Sequence, residues 1–484
     1  MPLDTERKEY SAMVPLWRRA RRVIEGEEAV KDAGKSLLPK LGGQDEVEYE
    51  AYKHRATFFN ATGRTASALK GVIMDTPPIC DLPAELKSYE SNMDGEGAAL
   101  QVVAERFIRE LVDEGRAGIG IDIVGGRPVL NIYKTEEIIN WRGSKVKGET
   151  RELCLATTRS PIAIEDKEDP FSTVIAQEYI GRYLDRESGA LHVRRQVVGD
   201  KEKRDAEVLS MTYPDGKPLD FVPLVICGLM GPELDEPGKP TLNDLININI
   251  AHYRNSADYE HGLHYVGMPT AVVIGVSSTP FPQDGPGDQK QNAYRIGADT
   301  VWEIPLNGDA KYLEFTGQGL ENYVTAMREK EAQMAVLGSR ILAPEKRQAE
   351  AAETASIHRA SEHATVADIA HSASDAMSLA LSMAYHWLTG KTKEIVFKFN
   401  DDYAPKGLTA QEITALTKAY QAGSISFETF WQSMKDGGVK MAGDTPEEEM
   451  ALIQSGANNA MGGLGGGQSK QPGNPDTGNS GGGD

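Results

Sequence analysis

Two groups of histidines could do chemistry in this chain: His252, His261 and His264 on or just beyond one polar helical stretch, and His358, His363 and His371 along a later one. His261 and His264 are three apart, a spacing that can hold a metal ion on one helix face. With no cysteine or carboxylate at matching spacing, solvated or interface histidines are the better reading, and the later three share no consistent ligand face. Asp122, Glu136 and Glu137 offer carboxylates, but no nucleophile or base can be argued to partner them. Gly115-Arg-Ala-Gly-Ile-Gly120 lies between a helix and a strand, the wrong order for a dinucleotide turn, and Gly-x-x-x-x-Gly-Lys-Ser/Thr is absent. The residues therefore assign no catalytic, cofactor or metal site, and an enzyme is not expected.

Composition narrows the partners. A chain of 484 residues can bury a sizeable core and would ordinarily form two or three domains. Lys and Arg total 52 against 72 Asp and Glu, a net charge of -20, so tight wrapping of nucleic acid by the general surface is not expected. A nucleic acid that passes without being gripped stays compatible. Cys80, Cys154 and Cys227 are far apart and odd in number, which favours a reducing compartment and small, partly buried apolar roles over a disulfide framework. The N-terminus lacks the apolar core of a signal peptide, and no window approaches ~18 uninterrupted apolar residues, which implies a soluble protein of the cytoplasm or packaged from it.

The elements read as α+β. Helices are expected over Tyr10 to Glu28, Glu48 to Met74 and Ala98 to Gly115, the last closed by a C-cap glycine. Arg18, Arg19, Arg21 and Arg22 crowd the first helix, but Glu25, Glu27 and Glu28 follow at once, so a solvated face or subunit contact is the reading. Alternation then predicts strands at Ala117 to Val124 and Arg127 to Tyr133 around a Gly125-Gly126 turn. Further strands follow at Glu152 to Thr157, Val174 to Leu184, His192 to Val198, Val208 to Tyr213 and Phe221 to Cys227.

The stretch Thr241 to Ser378 is the most distinctive. Thr241-Leu-Asn-Asp244 predicts an N-cap for a helix that keeps Asn247, Asn249, Arg254, Asn255 and Asp258 among its apolar positions. A Pro/Gly-broken excursion follows, with strands expected at Pro269 to Gly275, Thr300 to Pro305 and Lys311 to Phe315, the last two joined by an Asn307-Gly308 hairpin turn. Gly319 to Leu342 resumes as an amphipathic helix, with Arg328, Lys330 and Glu331 off its apolar stripe. Glu345 to Glu350 is a charged loop, and Glu353 to Leu388 a single Ala/Ser-rich helix far longer than the ~11-residue mean of globular helices. Such a helix needs a very large core or neighbouring subunits.

After a strand at Glu394 to Asn400, helices are expected over Thr409 to Ala422, with a Thr409/Glu412 capping box, and over Ser426 to Lys435. That pair could suggest a helix-turn-helix, but its second helix carries Glu428, Asp436 and a single lysine, so it reads as a packing motif. Thr445-Pro446-Glu-Glu448 opens a last short helix, and disorder is expected beyond Gly456.

Several stretches taken as a set resemble the portal proteins of tailed bacteriophages, the head-to-tail connectors. They are the arginine-bearing first helix with Gly26-Glu27, Tyr49-Glu-Ala-Tyr-Lys-His-Arg-Ala-Thr-Phe-Phe59, Glu114-Gly-Arg-Ala-Gly118, Ile138-Ile-Asn-Trp-Arg142, and above all Leu245 to Pro269 with Ala251-His-Tyr-Arg254 and Ser256-Ala-Asp-Tyr-Glu-His261. The resemblance spans most of residues 10 to 440. It implies an α/β wing at 1–240, a first stem helix at 241–264, a small β-containing clip at 265–318 and a second stem helix at 319–342. A tunnel loop at 343–353, a long wing helix and strand at 354–407, a short helical crown at 408–455 and a disordered tail at 456–484 would follow.

What the resemblance further implies is a closed homo-oligomeric ring, typically of twelve subunits, at one capsid vertex of the virion, assembled in the host cytoplasm. The ring would pass double-stranded DNA during packaging and ejection. It would dock the terminase large subunit and then a head-completion, neck or tail adaptor protein, and would contact major capsid and scaffolding proteins, with no membrane and no cofactor. Glu345, Lys346, Arg347 and Glu350 would lie in the tunnel loop near DNA; Asn247, Arg254, Asp258, Arg328, Lys330 and Glu331 on the stem and channel; Phe281, Asp284, Asp288 and Lys290 on the docking face of the clip. An acidic tunnel would repel phosphate and let DNA slide. The alternative is another structural capsid or scaffold-associated assembly protein without a channel, and a hydrolase with a dispersed site comes third.

Overall fold

Four helices open the chain: α1 (Lys8–Glu25), α2 (Glu27–Asp32), α3 (Glu46–Arg55) and α4 (Ala61–Met74). The computed structural model describes every residue except 1, 146–150, 166–168, 170, 200–206, 268–269, 275–308, 314–316, 343–351, 402–409, 444 and 454–484. The expected helix from Glu48 to Met74 is two helices, because two caps compete with a continuous one. Asp45 and Glu48 form a reciprocal capping box that starts α3, and the Asn60 side chain accepts from the Gly63 N–H to start α4. The extended residues between them send Phe58 into the core. The first helix also ends earlier than its pattern suggests, at Gly26, whose φ of 106° no helix can contain.

A two-residue strand β1 (Ile79–Cys80) and a short α5 (Ala84–Lys87) lead to α6 (Leu100–Glu114), which buries Leu100, Val103, Phe107 and Leu111 and closes on a left-handed Gly115 as its spacing predicts. The chain then enters β2 (Arg116–Val124), β3 (Arg127–Lys134), β4 (Ile138–Lys145), β5 (Arg151–Glu165), β6 (Thr173–Leu184), β7 (Leu191–Val198), β8 (Glu207–Leu209), β9 (Leu224–Gly228) and β10 (Gly231–Pro232). They form two antiparallel sheets, ordered β10-β9-β2-β3 and β4-β5-β6-β7-β8. Alternation predicts no strand at β4. A register shift between Ile138 and Asn140 explains why: Ile138 and Ile139 are both buried, which breaks the period-2 pattern. The strand expected to Tyr213 stops at Leu209, beyond which Thr212 forms only an isolated bridge to Pro218.

Next come α7 (Asn243–Val266), β11 (Thr270–Ile274), β12 (Asp309–Leu313), α8 (Leu320–Leu342), α9 (Ala352–Thr389) and β13 (Phe397–Lys398). The strand at Pro269 to Gly275 pairs antiparallel with β12 from Thr270↔Leu313 to Ile274↔Asp309. The Thr300 to Pro305 strand and the Asn307-Gly308 turn lie outside the described residues.

The described side chains of α9 answer how a helix of 38 residues is covered. Ala370, Ala373, Ala376, Met377, Ala380, Leu381 and Ala384 are buried in the chain's own core, so this part needs no neighbouring subunit. Its serines bind the segment that follows. Ser374, Ser378 and Ser382 accept from the backbone N–H of Phe399, Phe397 and Ile395 at 3.0, 2.9 and 3.0 Å. Four residues of helix rise about 6 Å and two of strand about 6.6 Å, so a serine every fourth position meets an N–H every second. This is why the strand expected over Glu394 to Asn400 reduces to Phe397–Lys398, paired with β1.

Residues Met1–Tyr403 make one compact unit and Ala404–Asp484 a second. In the second, α10 (Ala410–Gln421) and α11 (Phe427–Asp436) pack through Tyr420, stacked 5.0 Å from Phe430, with Ser426 capping α11. The packing motif expected there is what forms. Thr409 of the expected capping box lies outside the described residues, while Thr445 Oγ1 accepts from the Glu448 N–H at 3.3 Å.

Candidate functional site

Polar residues inside a helix call for partners, and α7 finds them on both sides. It runs antiparallel to α8: Gly262 meets Leu320 near one end, and further along His252 Nε2 lies 3.2 Å from Glu331 Oε1. At Gly262 a Cβ would come within 2.5 Å of Leu320, so the two helices are close there. Met334 is buried, and Gly338 approaches the Thr65 side chain of α4. By contrast Glu321, Asn322, Thr325, Arg328 and Glu329 stand exposed on α8.

The other side of α7 is tied to the N-terminal helices by hydrogen bonds. Asn249 Oδ1 accepts from both the N–H and the hydroxyl of Thr62, at 3.1 and 2.8 Å, and its Nδ2 donates to Phe59 O at 2.8 Å. Thr62 is in the first turn of α4, so a buried asparagine from another helix satisfies one of its orphan donors. Ser256 Oγ lies 2.8 Å from Thr57 Oγ1. Tyr52 donates to Asp258 Oδ1 at 2.6 Å, and Arg254 Nε donates to Leu37 O at 2.8 Å. Burial, and then the bond to Asp258, push the Tyr52 phenol above its ordinary range. Tyr52 also meets His261 edge-on at 5.2 Å.

The candidates singled out from the sequence thus separate. Glu331 is brought to His252; Arg254 and Asp258 are held against the N-terminal helices; Lys330 reaches the Ala326 carbonyl at 3.4 Å on its own helix; Asn247 and Arg328 are exposed. Glu345, Lys346, Arg347, Glu350, Phe281, Asp284, Asp288 and Lys290 lie outside the described residues. The solvated reading of His252 is corrected: its side chain is 7% exposed, packed on Phe59 and paired with Glu331. Thr241 does not cap α7. Leu242 occupies the cap position without a side-chain bond, and the Thr241 hydroxyl is buried with no partner among the described residues.

The arginine-rich first helix also differs from its expectation. Arg21 lies among three carboxylates, 2.8 Å from Glu110, 2.8 Å from Glu136 and 3.7 Å from Glu114. Glu136 therefore has a partner, which its sequence neighbourhood did not disclose. Burial raises Glu114 well above the carboxylate range, Arg21 opposing it. Burial also acts on Glu136, but the Arg21 bond and charge outweigh it and hold that carboxyl low. Behind this cluster Arg116 is fully buried, 2.8 Å from Glu233 and 4.1 Å from the Trp141 ring centroid; burial lowers it to about 10. These groups brace α1, α6 and the sheets. Among the described residues no group of three or more His, Cys, Asp or Glu side chains could hold a metal ion, and no helix is long and apolar enough to cross a membrane.

Residues 241–388 match the family described as a domain of unknown function, DUF4055. That match begins two residues before α7 and ends within the last turn of α9, so it covers the paired helices, the excursion between them and the long helix. No curated protein matches. Among solved structures, the chain is similar to one from the virion of a native gene transfer agent particle, at 14% identity and a TM-score of 0.38, covering 85% of this chain and 99% of that one. It is similar to one from the neck of the empty particle computed with C6 symmetry, at 14% identity and 0.39, covering 82% and 95%. For one from the neck of the native particle computed with C12 symmetry the figures are 14%, 0.37, 79% and 90%. Superpositions this loose carry no function across.

Proposed function

We propose that this chain is a portal-type subunit: it assembles into a ring, of twelve copies, whose centre passes double-stranded DNA into and out of a capsid, and which docks the packaging terminase and later an adaptor of the neck or tail. The observation that carries this reading is the order and pairing of elements from α7 to α9. Two antiparallel helices leave one shared end through a paired β11/β12 and at the other end connect to a helix of 38 residues. One of the sequence stretches that resemble portal proteins, Leu245 to Pro269, lies at the start of the same region.

Physical chemistry supports it in two ways. The exposed face of α8 carries Glu321, Arg328 and Glu329, a mixed polar strip suited to a neighbouring copy in a closed heterologous interface. The net charge of -20 suits a conduit, since an acidic wall does not hold phosphate. In this reading 265–318 forms the clip, with Phe281, Asp284, Asp288 and Lys290 on its docking face, and 343–353 the tunnel loop.

Electron microscopy of the purified chain, with its mass measured in parallel, tests the proposal. Rings with a central hole and a mass near twelve subunits are expected. A monomer overturns it, and polydisperse sheets or closed shells would move the chain to the alternative of a capsid component without a channel.

A further inference from the structure

Arg182, on β6, is 1% exposed, and its guanidinium has no carboxylate within ion-pair distance among the described residues. Its Nη1 donates to Thr158 Oγ1 at 3.2 Å and its Nη2 to the Tyr133 hydroxyl at 3.2 Å, while Nε has no partner. The guanidinium carbon lies 5.7 Å from the Tyr133 ring centroid. Both acceptors are hydroxyls. Each spends an oxygen lone pair on the arginine and keeps a proton to donate, and neither donates to a described group. Thr158 is 1% and Tyr133 8% exposed. Donor groups of β3, β5 and β6 thus meet at one buried guanidinium, and among the described residues no carboxylate accepts from any of them.

An arginine cannot escape this by losing its proton, because guanidinium stays charged in proteins. A buried charge without a counter-charge is strongly disfavoured. Every other buried or half-buried arginine described above has an anion or a carbonyl: Arg21 three glutamates, Arg116 Glu233, and Arg7 Glu9 together with the Trp141 carbonyl. We infer that Arg182, Tyr133 and Thr158 form a buried site for a small monovalent anion of the chloride class, which joins the two sheets. A single-atom anion accepts from several donors at once and needs no acceptor geometry of its own. The low exposure of all three residues excludes an acidic side chain reaching in from a second copy.

The test uses bromide as the probe. Crystals of the full chain grown in sodium bromide, measured at the bromine absorption edge, are expected to give an anomalous peak in contact with the Arg182 guanidinium and the Tyr133 hydroxyl. Water or oxyanion density there without that peak overturns the inference. In solution the thermal midpoint of the wild-type chain is expected to rise with sodium chloride relative to sodium gluconate at equal ionic strength, as mass action requires of a ligand that binds only the folded state. Arg182→Met is expected to lose that dependence. Equal chloride dependence in both proteins, or none in the wild type, overturns the inference; should Arg182→Met fail to fold, the bromide peak in the wild type decides.

Discussion

His252 on α7 and Glu331 on α8 meet at 3.2 Å, the first 7% and the second 47% exposed, so the contact joins the two long helices with its imidazole in the core and its carboxylate at the surface. The asymmetry sets what each partner contributes. Glu331→Gln keeps an acceptor for the ring and is expected to change stability by less than about 0.5 kcal/mol. His252→Ala removes a buried ring that also packs on Phe59, and is expected to cost about 2–3 kcal/mol. Urea denaturation of both variants checks this: equal losses would mean that the charge, not the ring, holds the helices.

Ser374, Ser378 and Ser382 hold three backbone N–H groups of the segment after α9. Replacing all three with Ala leaves those donors unpaired and is expected to cost about 3 kcal/mol in total, at about 1 kcal/mol each. Amide hydrogen exchange should then quicken at Ile395, Phe397 and Phe399 before the rest of the unit. Unchanged protection at these three amides would contradict the ladder.

Glu114 gives the stability a pH dependence of stated sign. Burial raises its folded pKa above that of the unfolded chain, so the folded protein holds a proton the unfolded one releases. Its contribution is complete at pH below the ordinary carboxylate range and is lost as pH climbs through the raised folded value. Glu136, held low despite burial by Arg21, acts oppositely: its contribution is present at neutral pH and lost as acid titrates it. Asp113, Glu137 and Glu233 are also raised by burial, so Glu114→Gln is expected to lessen the decline on the alkaline side without removing it, while leaving acid unfolding in place. Urea midpoints measured from pH about 5 to 8 read it directly, and a decline as steep in the variant as in the wild type would assign the proton elsewhere.

Lys346 and Arg347 are the cations of the proposed tunnel loop. If the proposed portal function holds, changing both to Ala is expected to alter DNA packaging or retention while rings still assemble, since in that reading the loop cations meet phosphate. Packaged DNA per particle, counted beside ring yield, is the measurement. Normal packaging and retention with normal rings would remove the loop from the mechanism.

Apolar periodicity discloses α6, with Val103, Phe107 and Leu111 on one face, and alternation with a Gly-Gly turn discloses β2 and β3, where Gly125 and Gly126 take φ of 59° and 81°. Polar residues with distant partners stay hidden. Asn249 and Ser256 look like surface positions until Thr62 and Thr57, nearly two hundred residues earlier, are placed against them. The serines of α9 read as small spacers, yet their four-residue spacing set against the alternation after Glu394 held the signal of a helix bonded to a strand. Arg21 and Glu136 show the same limit: a charge run in sequence gives no hint that one member turns inward to meet carboxylates from two other elements.

β11 and β12 close on each other immediately beyond α7 and before α8, in a register that runs from Thr270↔Leu313 to Ile274↔Asp309. The two long helices are thereby clasped independently of what is strung between Ile274 and Asp309. Closing a longer loop on a clasp already made costs only a logarithm of its length. The pairing of the helices is therefore decoupled from the length of chain between Ile274 and Asp309, and an insertion or deletion there leaves the β11/β12 register as the closing contact.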